Sequence, residues 1–155
     1  MKKVRNAVAL MMLFFCAHNI SAQTKTLHWL DLSPAGIKAS IQVPVDVKII
    51  PDDYDVLIGD GKSIKIQITK TSRPFAETVS FTEKNDIRKF VKFIQKEPNG
   101  YIAQLNPMFD TEYDFAWYTT LGNTNYLLQD VGSIRHPNLK LVKEMYTYAQ
   151  TLKTN

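Results

Sequence analysis

Apolar and polar residues alternate along residues 37–49, the clearest pattern in the chain. Every second side chain is apolar, and most of the residues between them are polar or charged. A period of two places successive side chains on opposite faces of a strand, so this segment predicts a half-buried β-strand. Pro44 has no amide hydrogen to donate, so it must interrupt the strand or lie at a sheet edge. The apolar positions are Ile37, Ala39, Ile41, Val43, Val45, Val47 and Ile49.

Further alternating segments predict two β-hairpins. In the first, Asp60-Gly61 separates two alternating runs and favours a tight turn that needs positive φ. In the second, two aromatic-rich segments are joined by residues 121–125, Leu-Gly-Asn-Thr-Asn. Tight turns join neighbouring strands antiparallel, so an antiparallel sheet is expected. Besides residues 37–49, the predicted strands, including those of the two hairpins, are residues 27–32, 54–58, 64–68, 101–105, 113–120 and 126–131.

Residues 82–97 predict the middle helix on which the sheet would pack. Ile87, Phe90, Val91 and Ile94 recur at i, i+3, i+4 and i+7, the spacing of one helix face. A second helix is predicted over residues 137–152, where proline favours the first turn. The expected fold is therefore α+β, a single antiparallel sheet of about six strands with a middle helix and a C-terminal helix packed on it.

The order of these elements resembles the PsbP/Mog1-like family. The resemblance rests on the strand Ile37-Lys38-Ala39-Ser40-Ile41-Gln42-Val43-Pro44, which ends in a proline and is followed by a hairpin, a middle helix, antiparallel strands and a C-terminal helix. It covers most of residues 27–152. The resemblance implies a six- or seven-stranded antiparallel sheet between helices, and an accessory or binding role. It supplies no catalytic motif and no site residue.

The amino terminus has the features of a signal peptide. Lys2, Lys3 and Arg5 precede an apolar run over residues 7–17, too short for the roughly 20 residues that span a bilayer. Cleavage is expected after about Ala22, giving an exported protein, periplasmic or secreted, with residues 23–155 as one α+β domain. The protein is not expected to span a membrane.

Removing the leader changes the charge and the chemistry of the chain. The chain has 19 Lys+Arg against 15 Asp+Glu, and three of the basic residues lie in residues 1–22, which leaves 16 against 15. A nearly neutral protein has no electrostatic basis for a nucleic-acid partner. Cys16, the only cysteine, leaves with the leader, so no disulfide is expected.

The motifs for catalysis and metal binding are weak. Gly61-Lys62-Ser63 lacks the earlier glycine and the following helix of a phosphate-binding loop. After removal of residues 1–22 the chain keeps two histidines, His28 and His136, and no cysteine, so it lacks the ligands for a structural zinc site. Asp110, Glu112 and Asp114 are suitable oxygen ligands but do not match a calcium loop, and whether they bind calcium stays open. No cofactor is expected, and a hydrolase without a recognisable motif is the lowest-ranked function.

Two surfaces are candidates for binding. On the predicted helix, Arg88, Lys89, Lys92 and Lys96 would share the face opposite the apolar one, which suits an acidic protein partner or anionic lipid headgroups. In the second hairpin, Tyr118 and Trp117 form a candidate aromatic platform, although aromatic strands more often pack in a core. The sequence thus favours an exported accessory protein that binds a partner without catalysis. A small-ligand or lipid-binding protein is the alternative.

Overall fold

A computed structural model describes residues 25–107, 110–131 and 136–155. The predicted signal peptide, its cleavage site and Cys16 lie outside these residues. Within them the chain forms two antiparallel sheets and two α-helices. Neither helix is long and apolar enough to cross a membrane.

The strands of the smaller sheet are β1 (Leu27–Asp31), β2 (Ala39–Pro44) and β10 (Lys153–Thr154). Those of the larger sheet are β3 (Lys48–Ile50), β4 (Val56–Gly59), β5 (Lys65–Lys70), β6 (Phe90–Glu97), β7 (Gly100–Leu105), β8 (Glu112–Leu121) and β9 (Thr124–Asp130). The smaller sheet has the order β1-β2-β10. The larger sheet has seven strands in the described residues, in the order β3-β4-β5-β9-β8-β7-β6, and every neighbouring pair is antiparallel.

The two helices cover opposite faces of the larger sheet. The second helix, α2 (Leu139–Ala149), packs with β2 on one face, around a core that includes Phe115 and Tyr146. The first helix, α1 (Phe75–Glu83), packs on the other face through Phe75 and Val79. Alternate residues of β7 enter the two cores, with Ile102 on the α2 side and Tyr101 on the α1 side. The antiparallel α+β architecture is therefore as the sequence predicts, whereas the single six-stranded sheet is not.

The predicted helix over residues 82–97 is wrong. The helix α1 lies earlier, and the second half of the predicted segment is the edge strand β6. The pairing of β6 with β7 shifts register between Phe90 and Lys92 and again between Phe93 and Gln95. Such bulges interrupt the period of two, so the apolar residues fall at spacings that imitate a helix. Val91 is 47% exposed, so it does not belong to a buried helix face.

The long strand predicted over residues 37–49 is divided. Strand β2 ends at Pro44, a turn follows at Val45 and Asp46, and β3 then pairs with β4 in the other sheet. The division occurs where proline removes a ladder donor, as expected for that residue. Ala39, Ile41, Val43 and Val47 are buried as the alternation predicts, whereas Val45, in the turn, is 54% exposed.

Both predicted hairpins and the C-terminal helix are present, but the first hairpin closes with a loop over residues 60–64 and not with the predicted tight Asp60-Gly61 turn, since only Gly61 of this pair has positive φ. Asp60 Oδ1 accepts hydrogen bonds from the backbone amides of Lys62, Ser63 and Ile64, which makes Gly61-Lys62-Ser63 part of a hairpin loop. Gly61 has a φ of 72°, in the left-handed region that glycine occupies without strain. At the start of α2, Asn138 Oδ1 accepts from the amide of Lys140 at 3.0 Å, a side-chain cap.

Gly100 allows two aromatic side chains to approach the first residue of β7. A Cβ atom there would lie 2.5 Å from Cε3 of Trp117, and it would also meet the hydroxyl of Tyr146. We expect Gly100→Ala to lower the free energy of unfolding by about 1–3 kcal/mol, because overpacking displaces both rings. Urea unfolding measures this, and Asn99→Ala, at an exposed neighbouring position, should change stability by about 0.5 kcal/mol or less. Equal midpoints for the two variants would show that the rings do not depend on glycine.

Candidate functional site

The turn after α1 directs Arg88 towards the sheet. Asn85 Oδ1 accepts hydrogen bonds from the backbone amides of Ile87 at 3.1 Å and Arg88 at 2.9 Å. Lys89 has a φ of 41°, a left-handed conformation that is costly for a residue other than glycine. The backbone amide of Asn106 donates to the carbonyl of Lys89 at 3.0 Å. These contacts fix the backbone on both sides of Arg88.

Arg88 forms ion pairs with two carboxylates of β8. Its Nη1 lies 2.9 Å from Asp114 Oδ2, and its Nη2 lies 3.6 Å from Glu112 Oε2. Glu112 and Asp114 are two residues apart on one strand, so they face the same side of the sheet. The side chain of Arg88 is 19% exposed, and Glu112 is buried. The guanidinium is therefore withdrawn from solvent into the α1 side of the sheet.

A second buried pair lies beside these charges, at the end of β9. Nε2 of His136 is 2.8 Å from Oδ1 of Asp130, and each of the two residues is 3% exposed. The carbonyl of His136 accepts a hydrogen bond from the amide of Tyr113 at 2.9 Å, which attaches the segment before α2 to β8. Oδ2 of Asp130 is buried and has no hydrogen-bond partner among the described residues. We call Arg88, Glu112, Asp114, Asp130 and His136 the Arg88 cluster.

Burial opposes the ionisation of two carboxyl groups in the Arg88 cluster. It raises the pKa of Asp114 from 3.8 to about 7, although Arg88 acts to lower it, and the charge of Asp130 raises it further. Burial also raises the pKa of Asp130, against the hydrogen bond with His136. Asp114 therefore takes up a proton near neutral pH, where an exposed carboxyl group is ionised.

A small cavity of about 160 Å³ adjoins the cluster, between α1 and the sheet. Asp114, Asp130 and Arg88 line it, together with Tyr101 and Thr82. The hydroxyls of Tyr101 and Thr82 lie 2.6 Å apart. Burial raises the pKa of Tyr101 well above its usual range, so its hydroxyl stays protonated at neutral pH. We call this space the acidic cavity.

A larger groove of about 620 Å³ adjoins the acidic cavity, between α1 and strands β5 and β9. The two spaces share Thr78, Phe81 and Gln129 in their walls. Strands β5 and β9 form its floor, and there Nε2 of Gln129 donates a hydrogen bond to Oε1 of Gln67 at 3.4 Å. Oγ1 of Thr69, another lining residue, is buried without a hydrogen-bond partner among the described residues. We call this space the α1 groove.

Phe81 is an exposed aromatic side chain next to the α1 groove and the acidic cavity. It lies on α1, is 73% exposed, and borders both the α1 groove and the acidic cavity. It also borders a shallow depression that contains Ile87, which is 84% exposed. Two large apolar side chains are thus presented to solvent next to concave surfaces, an arrangement typical of binding sites.

The four cations predicted to share a helix face do not do so. Arg88 points into the cluster, and Lys89 lies in the turn after α1. Lys92 and Lys96 are exposed on the edge strand β6, where Nζ of Lys96 is 3.5 Å from Glu83 Oε1 and 4.3 Å from the Phe93 ring centre. Lysines on an edge strand oppose pairing with another chain, so their placement has a structural explanation.

The other predicted site residues are also dispersed. Trp117 is on the α2 face of β8, edge-on to Tyr146 at 5.7 Å, whereas Tyr118 is on the α1 face, 6.0 Å from Phe75. The two rings do not form a common platform. Of the three candidate calcium ligands, Glu112 and Asp114 contact Arg88, and Asp110 is exposed. Among the described residues, no three His, Cys, Asp or Glu side chains are arranged to hold a metal ion.

Asp130 and Phe81 are not among the site residues predicted from the sequence. For Asp130 a signal was present, because it continues the alternation of Tyr126 and Leu128 and so occupies a core-facing position. A carboxylate in a buried position of a strand needs a partner, and the chain supplies His136 a few residues later. Phe81 had no such signal, because its exposure depends on where α1 begins.

Comparisons of this chain with protein-family models, with curated proteins and with solved structures find no match. The resemblance to the PsbP/Mog1-like family therefore stays a prediction. The site must be interpreted from its own geometry.

Proposed function

We propose that this protein is a non-catalytic binding protein that holds an extended segment of a partner polypeptide in the α1 groove. The observation that carries the proposal is Phe81, an aromatic side chain 73% exposed at the rim of a groove of about 620 Å³. Binding energy at protein interfaces is concentrated in a few residues, often aromatic, that adjoin pockets. An exposed phenylalanine in this position is suited to anchor a bound chain.

The groove lining favours a polypeptide over a lipid. Its floor and walls carry amide and hydroxyl groups that both donate and accept hydrogen bonds, as a peptide backbone does. An acyl chain in the groove would remove water from Gln67 and Gln129 without replacing their hydrogen bonds, which is costly.

Charges of both signs flank the groove. The charged side chains of its lining are those of Lys70, Arg73, Asp55 and Glu77. One of these, Asp55, accepts a hydrogen bond from Nε2 of Gln67. This mixed charge favours a polypeptide with charged side chains over an uncharged ligand.

The proposal is tested with peptides selected from a random displayed library against the protein. We expect Phe81→Ala to weaken binding of a selected peptide by about 30-fold or more, since loss of an aromatic hot spot costs about 2 kcal/mol. Fluorescence anisotropy with a labelled peptide measures the dissociation constant. Because Phe81 is exposed, its removal should leave the unfolding midpoint nearly unchanged.

The matched control is Trp29→Ala. Trp29 is a partly exposed aromatic on the smaller sheet, with Lys153 over its ring at 3.7 Å. This variant should bind the selected peptide as the unmodified protein does. Equal weakening in both variants, or a library that yields no binding peptide, would contradict the proposed function.

A further inference from the structure

The side of α1 that points away from the sheet presents a separate surface to solvent. Four of its residues recur at i, i+3, i+4 and i+7, which places their side chains on one side of the helix. They line a single shallow depression of about 530 Å³ that also contains Ile87. The four residues are Glu77, Ser80, Phe81 and Lys84. We call them the α1 outer face.

Phe81 gives the α1 outer face an exposed apolar centre. Its ring is 73% exposed, and Ile87, in the same depression, is 84% exposed. Large apolar side chains that are bordered by polar ones mark an interaction surface. Ser80, next to Phe81, is small and leaves room for an approaching ring. A partner that brings an apolar side chain of its own therefore fits here.

The two charges of the α1 outer face differ in sign and lie at opposite ends of the helix. Glu77 is in the first turn of α1, and Lys84 directly follows its last residue. The seven residues between their positions span about 10 Å at 1.5 Å for each residue. Neither side chain has an ion-pair partner among the described residues. Both charges are therefore available to a partner.

This order of charges favours a second copy of the same chain as the partner. A purely acidic or purely basic partner would attract one of the two residues and repel the other. A second α1 helix that runs antiparallel to the first presents Lys84 opposite Glu77 and Glu77 opposite Lys84. The α1 outer face is thus complementary to itself, which is what an interface between two identical chains requires.

We propose that two copies of this chain associate through the α1 outer face, with their α1 helices antiparallel about a two-fold axis between Ser80 and Phe81. Glu77 and Lys84 are equally distant from this axis along the helix, so both ion pairs form at once. Phe81 of each copy lies over Ser80 of the other copy. Each contact occurs twice, as two-fold symmetry demands.

The association is expected to be weak. Each copy contributes mainly one nine-residue helix, so the interface is small. We expect a dissociation constant of about 10–100 µM, typical of small transient interfaces. Below that concentration the monomer predominates and its α1 groove is free. Self-association goes beyond the proposed function and does not rest on it, although a second copy seated on Phe81 covers one rim of the groove.

Sedimentation velocity on the protein alone measures the association. The weight-average mass should rise from one chain towards two between about 5 and 500 µM. Glu77→Lys and Lys84→Glu each place like charges opposite one another at both ends of the interface, so each should weaken association by at least about 10-fold. Lys92→Glu is the matched control, because Lys92 is exposed on the edge strand β6, and it should leave association unchanged.

An equimolar mixture of the two charge-reversal variants tests the antiparallel arrangement. Glu77→Lys has two positive charges on the α1 outer face and Lys84→Glu has two negative ones, so a mixed dimer regains both ion pairs. The mixture should associate at least as strongly as the unmodified protein. One chain with both substitutions should also self-associate, which separates lost pairing from damage to the helix. The proposal is overturned if the unmodified protein stays monomeric, if the single variants associate normally, or if the mixture stays monomeric.

Discussion

Replacing Arg88 by methionine is expected to lower the free energy of unfolding by about 3–5 kcal/mol at neutral pH, because buried carboxylates lose their cation. The variant removes the contacts of the Arg88 guanidinium with Asp114 at 2.9 Å and with Glu112 at 3.6 Å. Methionine fills a similar volume, which limits the contribution of a cavity. Urea unfolding at neutral pH measures the loss.

The loss should depend on pH in a defined direction. Burial raises the pKa of Asp114 from 3.8 to about 7, so the native state binds this proton more tightly than the unfolded chain does. Such a group contributes stability that grows as pH falls from 7 towards 4 and is lost as pH rises through 7. Without Arg88 this pKa rises further, so the penalty should shrink by at least about 1 kcal/mol at about pH 5.

Lys89→Met is the matched control for Arg88→Met. It removes the same charge from the adjacent residue, which is exposed, so it should change stability by about 0.5 kcal/mol or less at either pH. Similar effects of the two variants, or a pH-independent loss for Arg88→Met, would show that Arg88 does not neutralise buried carboxylates.

Replacing Phe115 by alanine is expected to cost about 3–5 kcal/mol, because the ring lies in the centre of the α2-side core. Phe115 is fully buried on β8 and meets the ring of Tyr146 edge-on, with centres 6.2 Å apart. The measurement is again urea unfolding, with the slope compared to check that the transition stays two-state.

Tyr54→Ala serves as the control for Phe115→Ala. Tyr54 is 94% exposed in the loop before β4, so truncation of this aromatic removes little buried surface. Its effect should be about 0.5 kcal/mol or less. A comparable cost for both truncations would contradict the assignment of the two faces of β8.

Much of the sheet was predictable because one face of each strand is buried. The alternation in β2, β5, β8 and β9 follows from that burial, and the structure places Ile41, Ile66, Phe115 and Leu128 in the core. The C-terminal helix was predictable too, since Val142, Met145 and Ala149 recur on the face that α2 buries. In both cases the positions of the apolar residues in the local sequence show which face packs in the core.

The middle helix was not predictable from the same kind of pattern. Two bulges in β6 move apolar residues out of alternation, and the register of an edge strand is set by its partner β7, which the local sequence does not describe. The true helix α1 has a single fully buried residue, Thr82, so its apolar periodicity is weak. Contacts of Phe75 with Tyr101 and Tyr118 attach it to the sheet instead.

The candidate site could not be predicted from the sequence for a related reason. Arg88 appeared to be one of four exposed cations, because its direction depends on the left-handed turn at Lys89. The cluster combines residues from β8, β9 and the segments before α2 and after α1, which only the tertiary structure brings together. A strained turn beside a buried ionic cluster is the kind of local conflict expected where function, rather than folding, has determined the sequence.

The most direct test of the account is a map of the bound peptide by nitrogen–proton NMR. A peptide selected for binding is titrated into the labelled protein, and amide shifts are followed to saturation. The account predicts that the largest changes occur at the walls and floor of the α1 groove, at Thr69, Thr78 and Gln129. Changes confined to Lys92 and Lys96 on β6, with the groove unaffected, would contradict this prediction. They would show that the peptide binds at the basic edge strand.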